Sequence, residues 1–163
     1  AEVLETAVEG MVREGREIAA WAPNIVVKLP TTAAGLEGTA VLSREGIPIN
    51  QTLVFSPNQA LLAALAGASY VSPFLGRLDD VGHDGMQVGA DAVEIFKTHN
   101  LKTQVLAASI RHPLHCVQAA KIGAHIATMP FKVLMQMVSH PLTDIGLARF
   151  LEDWNRVSVH AGR

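Results

Sequence analysis

The chain has 163 residues, a formal net charge of −2, 49% hydrophobic and 17% charged side chains. That composition excludes intrinsic disorder and is long enough for one domain that buries roughly two-thirds of its unfolded surface. A sequence pI of 6.4 without basic runs argues against nucleic-acid binding, and aromatics at 5% offer few stacking platforms. Cys116 is the single cysteine, so no internal disulfide framework exists and a reducing, cytoplasmic setting is expected. Gly46–Gly76 carries no charge, but Asn50-Gln51, Ser56-Pro57-Asn58-Gln59 and Pro73 break it, so no membrane span is expected.

In chain order, short apolar runs alternate with amphipathic segments. The runs Ala1–Leu4, Asn24–Pro30, Ile47–Phe55, Ala68–Phe74, Thr103–Ser109 and Ala124–Met129 read as strands. Helical patterns separate them at Ala7–Trp21, Ala33–Arg44, Asn58–Ala66, Ala90–His99, Leu114–Ile122 and Val133–Val138. Gly46, Gly67 and Gly123 stand where helices end, as left-handed C′ residues do. Strand starts recur about every 22 residues, apart from an interval holding the Arg77–Gly85 loop. Such βα repetition implies a parallel sheet. Length alone favours an open doubly wound sheet over a (β/α)8 barrel, which typically needs about 200 residues or more. The placement of polar residues reverses that preference.

Lys28 lies within Ile25–Pro30, flanked by apolar residues in a strand expected to be buried on both faces. An ammonium buried there without a partner is costly, and a neutral lysine amine is the nucleophile that forms Schiff bases with carbonyl compounds. A snorkelling edge lysine or a scaffold ion pair is the plainer account. Asn50 and Thr52 share a strand face. Ser72 and Ser109 end the next two strands, and Glu2 lies on the first. Singly, each Ser or Thr is a strand-end cap; around one lysine at a barrel mouth they suit a polyhydroxylated carbonyl ligand. Arg77 and Arg111 occupy equivalent strand-end positions, where a guanidinium fork suits phosphate, or else pairs with a carboxylate such as Asp79 or Asp80.

Other clusters carry less. Asp79, Asp80, His83 and Asp84 read as a solvated turn rather than a metal site. His112 and His115 lack a nearby carboxylate in sequence, and Pro113 weakens a zinc reading. Cys116 reads as core. No nucleotide fingerprint accompanies Gly35 and Gly38, and no metal or cofactor is expected.

The segment Ile25–Gly38, IVVKLPTTAAGLEG, resembles the Schiff-base lysine signature of the transaldolase family. Similarity continues through Ile49–Ser56, Val71–Arg77, Leu106–Arg111 and Phe150–Trp154, in effect the whole chain. The resemblance is to the small transaldolases and their fructose-6-phosphate aldolase relatives. It implies a class I aldolase barrel represented by six βα units, the third to eighth strands, as a single domain over residues 1–163. It also implies that two front units, with an acid/base Asp, belong to the complete barrel, and that residues 142–163 are a C-terminal helix and tail. By the same resemblance, Lys28 is the Schiff-base lysine, Glu2 helps hold and activate the catalytic water, and Asn50 and Thr52 bond substrate and that water. Ser72 and Ser109 contact substrate, and Arg77 and Arg111 bind phosphate. Phe74 points to transaldolase, since the aldolases carry Tyr there. The implied reaction moves a dihydroxyacetone unit between ketose and aldose phosphates, sedoheptulose 7-phosphate and glyceraldehyde 3-phosphate giving erythrose 4-phosphate and fructose 6-phosphate. The alternatives are a fructose-6-phosphate aldolase or an inactive truncated barrel serving assembly. Sugar phosphates and a homo-oligomer built through the C-terminal helix are the implied partners.

Overall fold

Parallel pairing organises the molecule. The computed structural model describes residues 1–161, so Gly162 and Arg163 of the expected tail lie outside the described residues. Five strands, β1 (Val27–Pro30), β2 (Ile49–Val54), β3 (Tyr70–Pro73), β4 (Gln104–Ala107) and β5 (Ile126–Ala127), pair in sequence order, every pair parallel. Helix α1 (Val8–Ala19) precedes β1. The crossovers are α2 (Ala33–Arg44), α3 (Pro57–Leu65), the pair α4 (Leu75–Asp79) and α5 (Gly85–Thr98), and α6 (Pro113–Lys121). Helices α7 (Phe131–Val138) and α8 (Pro141–Ala161) end the described chain. Among the described residues, no helix is long and apolar enough to cross a membrane.

Local chemistry explains the boundaries. Thr32 and Ser56 cap α2 and α3 by accepting the Gly35 and Gln59 N–H groups, with Pro57 just inside the second helix. Gly46, Gly67 and Gly123 adopt φ of +81°, +97° and +81°. At each, the glycine N–H and the next N–H bond back into the last helical turn, so one left-handed residue satisfies two orphan carbonyls. The expected helix from Ala90 begins instead at Gly85. Asp84 caps it by accepting the Gln87 N–H at 3.1 Å, a cap-to-third-residue spacing visible in Asp84-Gly85-Met86-Gln87. The short α4 has no counterpart among the expected helices, because five residues with two charges carry almost no periodic signal.

The first expected strand is reduced to one bridge. Glu2 pairs with Lys28 in parallel, the Lys28 N–H donating to the Ala1 carbonyl at 2.7 Å and the Val3 N–H to the Lys28 carbonyl at 3.1 Å. Pairing stops there because the Leu4 and Glu5 N–H groups donate to the Glu14 carboxylate, at 2.8 and 3.0 Å. The other strands are shorter than their apolar runs, since Phe74 and Ala108 retain only an isolated bridge beyond β3 and β4.

Three apolar clusters form the core. One joins Met11, Ile18, Val27, Leu29, Leu42 and Ile49 between α1, α2 and the first two strands. The second gathers Val54, Ala60, Val71, Phe96 and Val105, and the third Leu75, Ala107, Ile110, Cys116 and Val133. Cys116 is thus core, its thiol pushed up by burial. Beyond α6 burial falls away: Phe131, Leu142, Phe150 and Trp154 are each more than two-thirds exposed, at 74%, 69%, 73% and 69%.

Candidate active site at the carboxyl ends of the strands

Register decides which side chains share a face. Lys28 pairs with Asn50, Asn50 with Tyr70 and Tyr70 with Gln104, so the even-numbered residues of β1 to β4, in β2 only as far as Thr52, fall on one face. A cavity of about 340 Å³ opens there, lined by Lys28, Asn50, Thr52, Ser72, Phe74, Arg77, Leu106, Ala108, Ser109 and Thr128. Seven of the nine expected site residues therefore converge on one space. Leu106, Ala108 and Thr128 were missed; Thr128 follows β5 as Ser109 follows β4, so the strand-end argument applied to it equally.

Lys28 departs from the burial expected of it. Its side chain is 33% exposed, and Nζ lies 3.1 Å from Glu2 Oε2. The strand alternates buried and half-buried residues, because the Lys28 face borders the cavity rather than a second packed layer. Glu2, the eighth expected residue, thus joins the site as the lysine's carboxylate partner through the bridge described above.

The remaining polar groups are held unequally. Ser72 Oγ donates to Asn50 Oδ1 at 2.7 Å. Thr52 is fully buried, and its Oγ1 has no hydrogen-bond partner. Its backbone is pinned, since the Thr52 carbonyl accepts both the N–H and the hydroxyl of Thr31, at 2.9 and 2.6 Å. Leu53 follows at φ +56°, where β2 carries one more residue than β3 between paired positions. This bulge re-aims the strand end beside Thr52. Ser109, at the cavity rim, sits at φ +59°. Two non-glycine residues in the left-handed region, each costing about 1–3 kcal/mol, flank the same cavity.

Phe74 and Arg77 form the outer wall. Phe74 packs edge-on against Phe55, with ring centroids 5.6 Å apart, and the Arg77 guanidinium carbon lies 4.9 Å from the Phe74 centroid. Arg111, the ninth expected residue, is not among the lining side chains; its guanidinium pairs with Asp80. The carboxylate pairing weighed for the arginines in sequence is therefore realised for Arg111.

The Asp79–Asp84 turn has structural employment. Asp79 accepts the Gly85 N–H, Asp84 caps α5, and Asp79 Oδ2 meets His115 Nε2 at 2.9 Å. Burial, then the nearby His112, hold His115 below the ordinary histidine value, while Asp79 opposes them.

In chemical terms the site offers an amine beside a carboxylate, a hydroxyl with unmet bonding capacity, a polar wall and a guanidinium at the rim. The family described as Transaldolase/Fructose-6-phosphate aldolase matches residues 1–160. The chain is 65% identical over 157 residues to a protein of Moorella thermoacetica named probable transaldolase, covering 96% of this chain and 73% of that one. Proteins of the same name from Heliobacterium modesticaldum and Thermoanaerobacter sp. are 62% and 58% identical, over 96% and 98% of this chain and 73% and 74% of theirs. An array of strand-end residues around one lysine, together with a match of this extent, leads to one assignment: the chain belongs to the transaldolase/fructose-6-phosphate aldolase family.

Proposed function

We propose that the protein is a transaldolase, transferring a dihydroxyacetone unit between ketose and aldose phosphates through a Schiff base on Lys28. The carrying observation is Lys28 itself, at the cavity wall beside Glu2 and paired in register with Asn50 on the neighbouring strand. In this reading the Lys28 amine adds to the ketone carbon and water leaves, giving an iminium. That cation draws electrons from the C3–C4 bond as the C4 hydroxyl loses its proton; the bond breaks, an aldose phosphate departs and a three-carbon enamine stays on Lys28. The enamine then attacks the aldehyde of the acceptor, and hydrolysis frees the new ketose.

The other groups take roles that fit their surroundings. Glu2 and Thr52 hold and activate the catalytic water; an unpartnered buried hydroxyl supports that role because a bound water or substrate hydroxyl would satisfy it. Asn50, Ser72 and Ser109 bond the sugar hydroxyls, and Arg77 and Arg111 receive phosphate. Phe74, which has no proton to give, favours transfer over release of dihydroxyacetone, the outcome expected of an aldolase. No metal or organic cofactor takes part in the proposed steps. The parallel sheet is read as part of a (β/α)8 barrel, of which these residues supply six units, and the protein as a cytoplasmic homo-oligomer docking through α8. The exposed Phe150, Leu151 and Trp154 support that docking.

The test is borohydride reduction in the presence of fructose 6-phosphate, followed by peptide mapping. A reduced three-carbon adduct on Lys28 is expected. An unmodified Lys28 in folded protein overturns the Schiff-base reading.

A further inference from the structure

Outside the cavity wall, one side-chain cluster ties helix α4, which carries Arg77, to the loop that carries Arg111. His115, on α6, is buried, with a side chain only 6% exposed. Its Nδ1 accepts the Arg111 N–H at 3.3 Å, so the ring proton sits on Nε2, which faces Asp79 Oδ2 at 2.9 Å. The other Asp79 oxygen accepts the Gly85 N–H at 2.9 Å. Next in sequence, Asp80 pairs with the Arg111 guanidinium. The end of α4 therefore grips Arg111 twice, at its backbone through His115 and at its side chain through Asp80.

Helix α4 and this loop have no slack between them. A Cβ on Gly76 would lie 1.9 Å from the Ser109 carbonyl oxygen and 2.7 Å from Arg111 Cγ. The Leu75 N–H also donates to the Ala108 carbonyl at 3.0 Å. Gly76 immediately precedes Arg77, so the placement of Arg77 relative to Ser109 and Arg111 depends on how closely α4 is drawn against the loop after β4.

We propose that His115 is a positioning residue for anion binding: with Asp79 it fastens the Arg111 loop against α4, so that Arg77 and Arg111 can converge on one phosphate. The inference rests on the reading of those arginines as the phosphate receivers. It adds a buried side chain that touches no substrate, yet sets the spacing of the groups that do.

The experiment is calorimetric titration of the protein with inorganic phosphate, with thermal unfolding run in parallel, for wild type and for His115→Phe, His115→Asn and His115→Gln. Phe removes both polar contacts. Asn keeps an acceptor near the Nδ1 position, and Gln keeps a donor near Nε2. Phosphate affinity is expected to fall about tenfold in His115→Phe. His115→Asn and His115→Gln, which each keep one end of the Arg111–His115–Asp79 bridge, should each recover part of that loss whatever their melting temperatures. Affinity at the wild-type value in all three variants, or affinity that simply follows melting temperature, overturns the inference. Should His115→Phe not fold, the remaining pair decides: weaker binding than wild type by both Asn and Gln supports the fastening role, and wild-type affinity in either ends it. A wild-type protein that binds no phosphate removes the reading of the arginines and the inference with it, whereas wild-type binding with indifferent variants removes the inference alone.

Discussion

The two faces of β2 treat buried polar side chains in opposite ways. On the helix side, Gln51 is fully buried and satisfied: its amide donates to the Pro30 carbonyl at 2.7 Å, and its oxygen accepts the Thr39 hydroxyl at 2.6 Å. On the cavity side, Thr52 is equally buried, and its hydroxyl bonds to nothing. A buried polar group without a partner costs about 1–3 kcal/mol, so the fold carries that cost at one face and avoids it one residue away. The difference separates scaffold from site. Gln51 welds β1, β2 and α2 together, while Thr52 keeps bonding capacity in reserve for something that enters the cavity.

That contrast can be broken from either side. Lys28→Met should have the largest effect, lowering transfer activity by at least about 10³-fold, as loss of a covalent nucleophile does. Its ion pair with Glu2 is partly exposed and contributes only about 0–1 kcal/mol, so the melting curve should scarcely move. A parallel collapse of the melting transition would instead make Lys28 a scaffold residue. Gln51→Leu should act the other way. It strips the Thr39 hydroxyl of its buried acceptor and leaves the Pro30 carbonyl with the Thr32 N–H alone, lowering unfolding free energy by about 1–3 kcal/mol in urea titration. Turnover per folded molecule should change far less.

Thr52→Val sharpens the comparison because it keeps the shape and removes the orphan hydroxyl. Stability should hold or rise by about 1 kcal/mol, with kcat falling about 10- to 100-fold. A loss of stability with unchanged turnover would place Thr52 with Gln51. The smallest effect is pH-dependent. Burial, then His112, lower the folded-state value of His115, and the charged or titratable groups facing it are Asp79, His112 and Arg111. The unfolded chain therefore binds more protons between that value and about 6.5, and stability is full above this window. It should decline as pH drops through it and level off below. His115→Asn should flatten that part of the profile in melting curves taken across pH; an unchanged slope would assign the dependence to another group.

The site was more legible in the sequence than the limits of the elements around it. Lys28, Asn50, Thr52, Ser72 and Ser109 announce themselves as polar residues at the ends of apolar runs, a pattern that needs only strand parity to interpret. The bounds of α2 agree with its amphipathic run, since Thr32 and Gly46 mark its ends in local chemistry. Strand ends were overextended because hydrophobic runs continue past the last ladder bond, as at Phe74 and Ala108. Helix α4 escaped notice because a single turn has no period to detect. His115 has no carboxylate near it in sequence, and its partner Asp79 lies 36 residues away on another element.

Alternation of apolar runs and amphipathic segments, punctuated by left-handed glycines, was enough by itself to determine a parallel α/β fold and to nominate the lysine with its polar neighbours. Those signals are local, written in residue spacing and in the conformations glycine alone adopts cheaply. Only the tertiary structure decided that Lys28 is one-third exposed beside Glu2, that Arg111 pairs with Asp80 while Arg77 lines the cavity, and that Thr52 is left unsatisfied. Each depends on which distant side chain arrives within hydrogen-bond reach, and register and loop packing determine that only when the chain closes on itself.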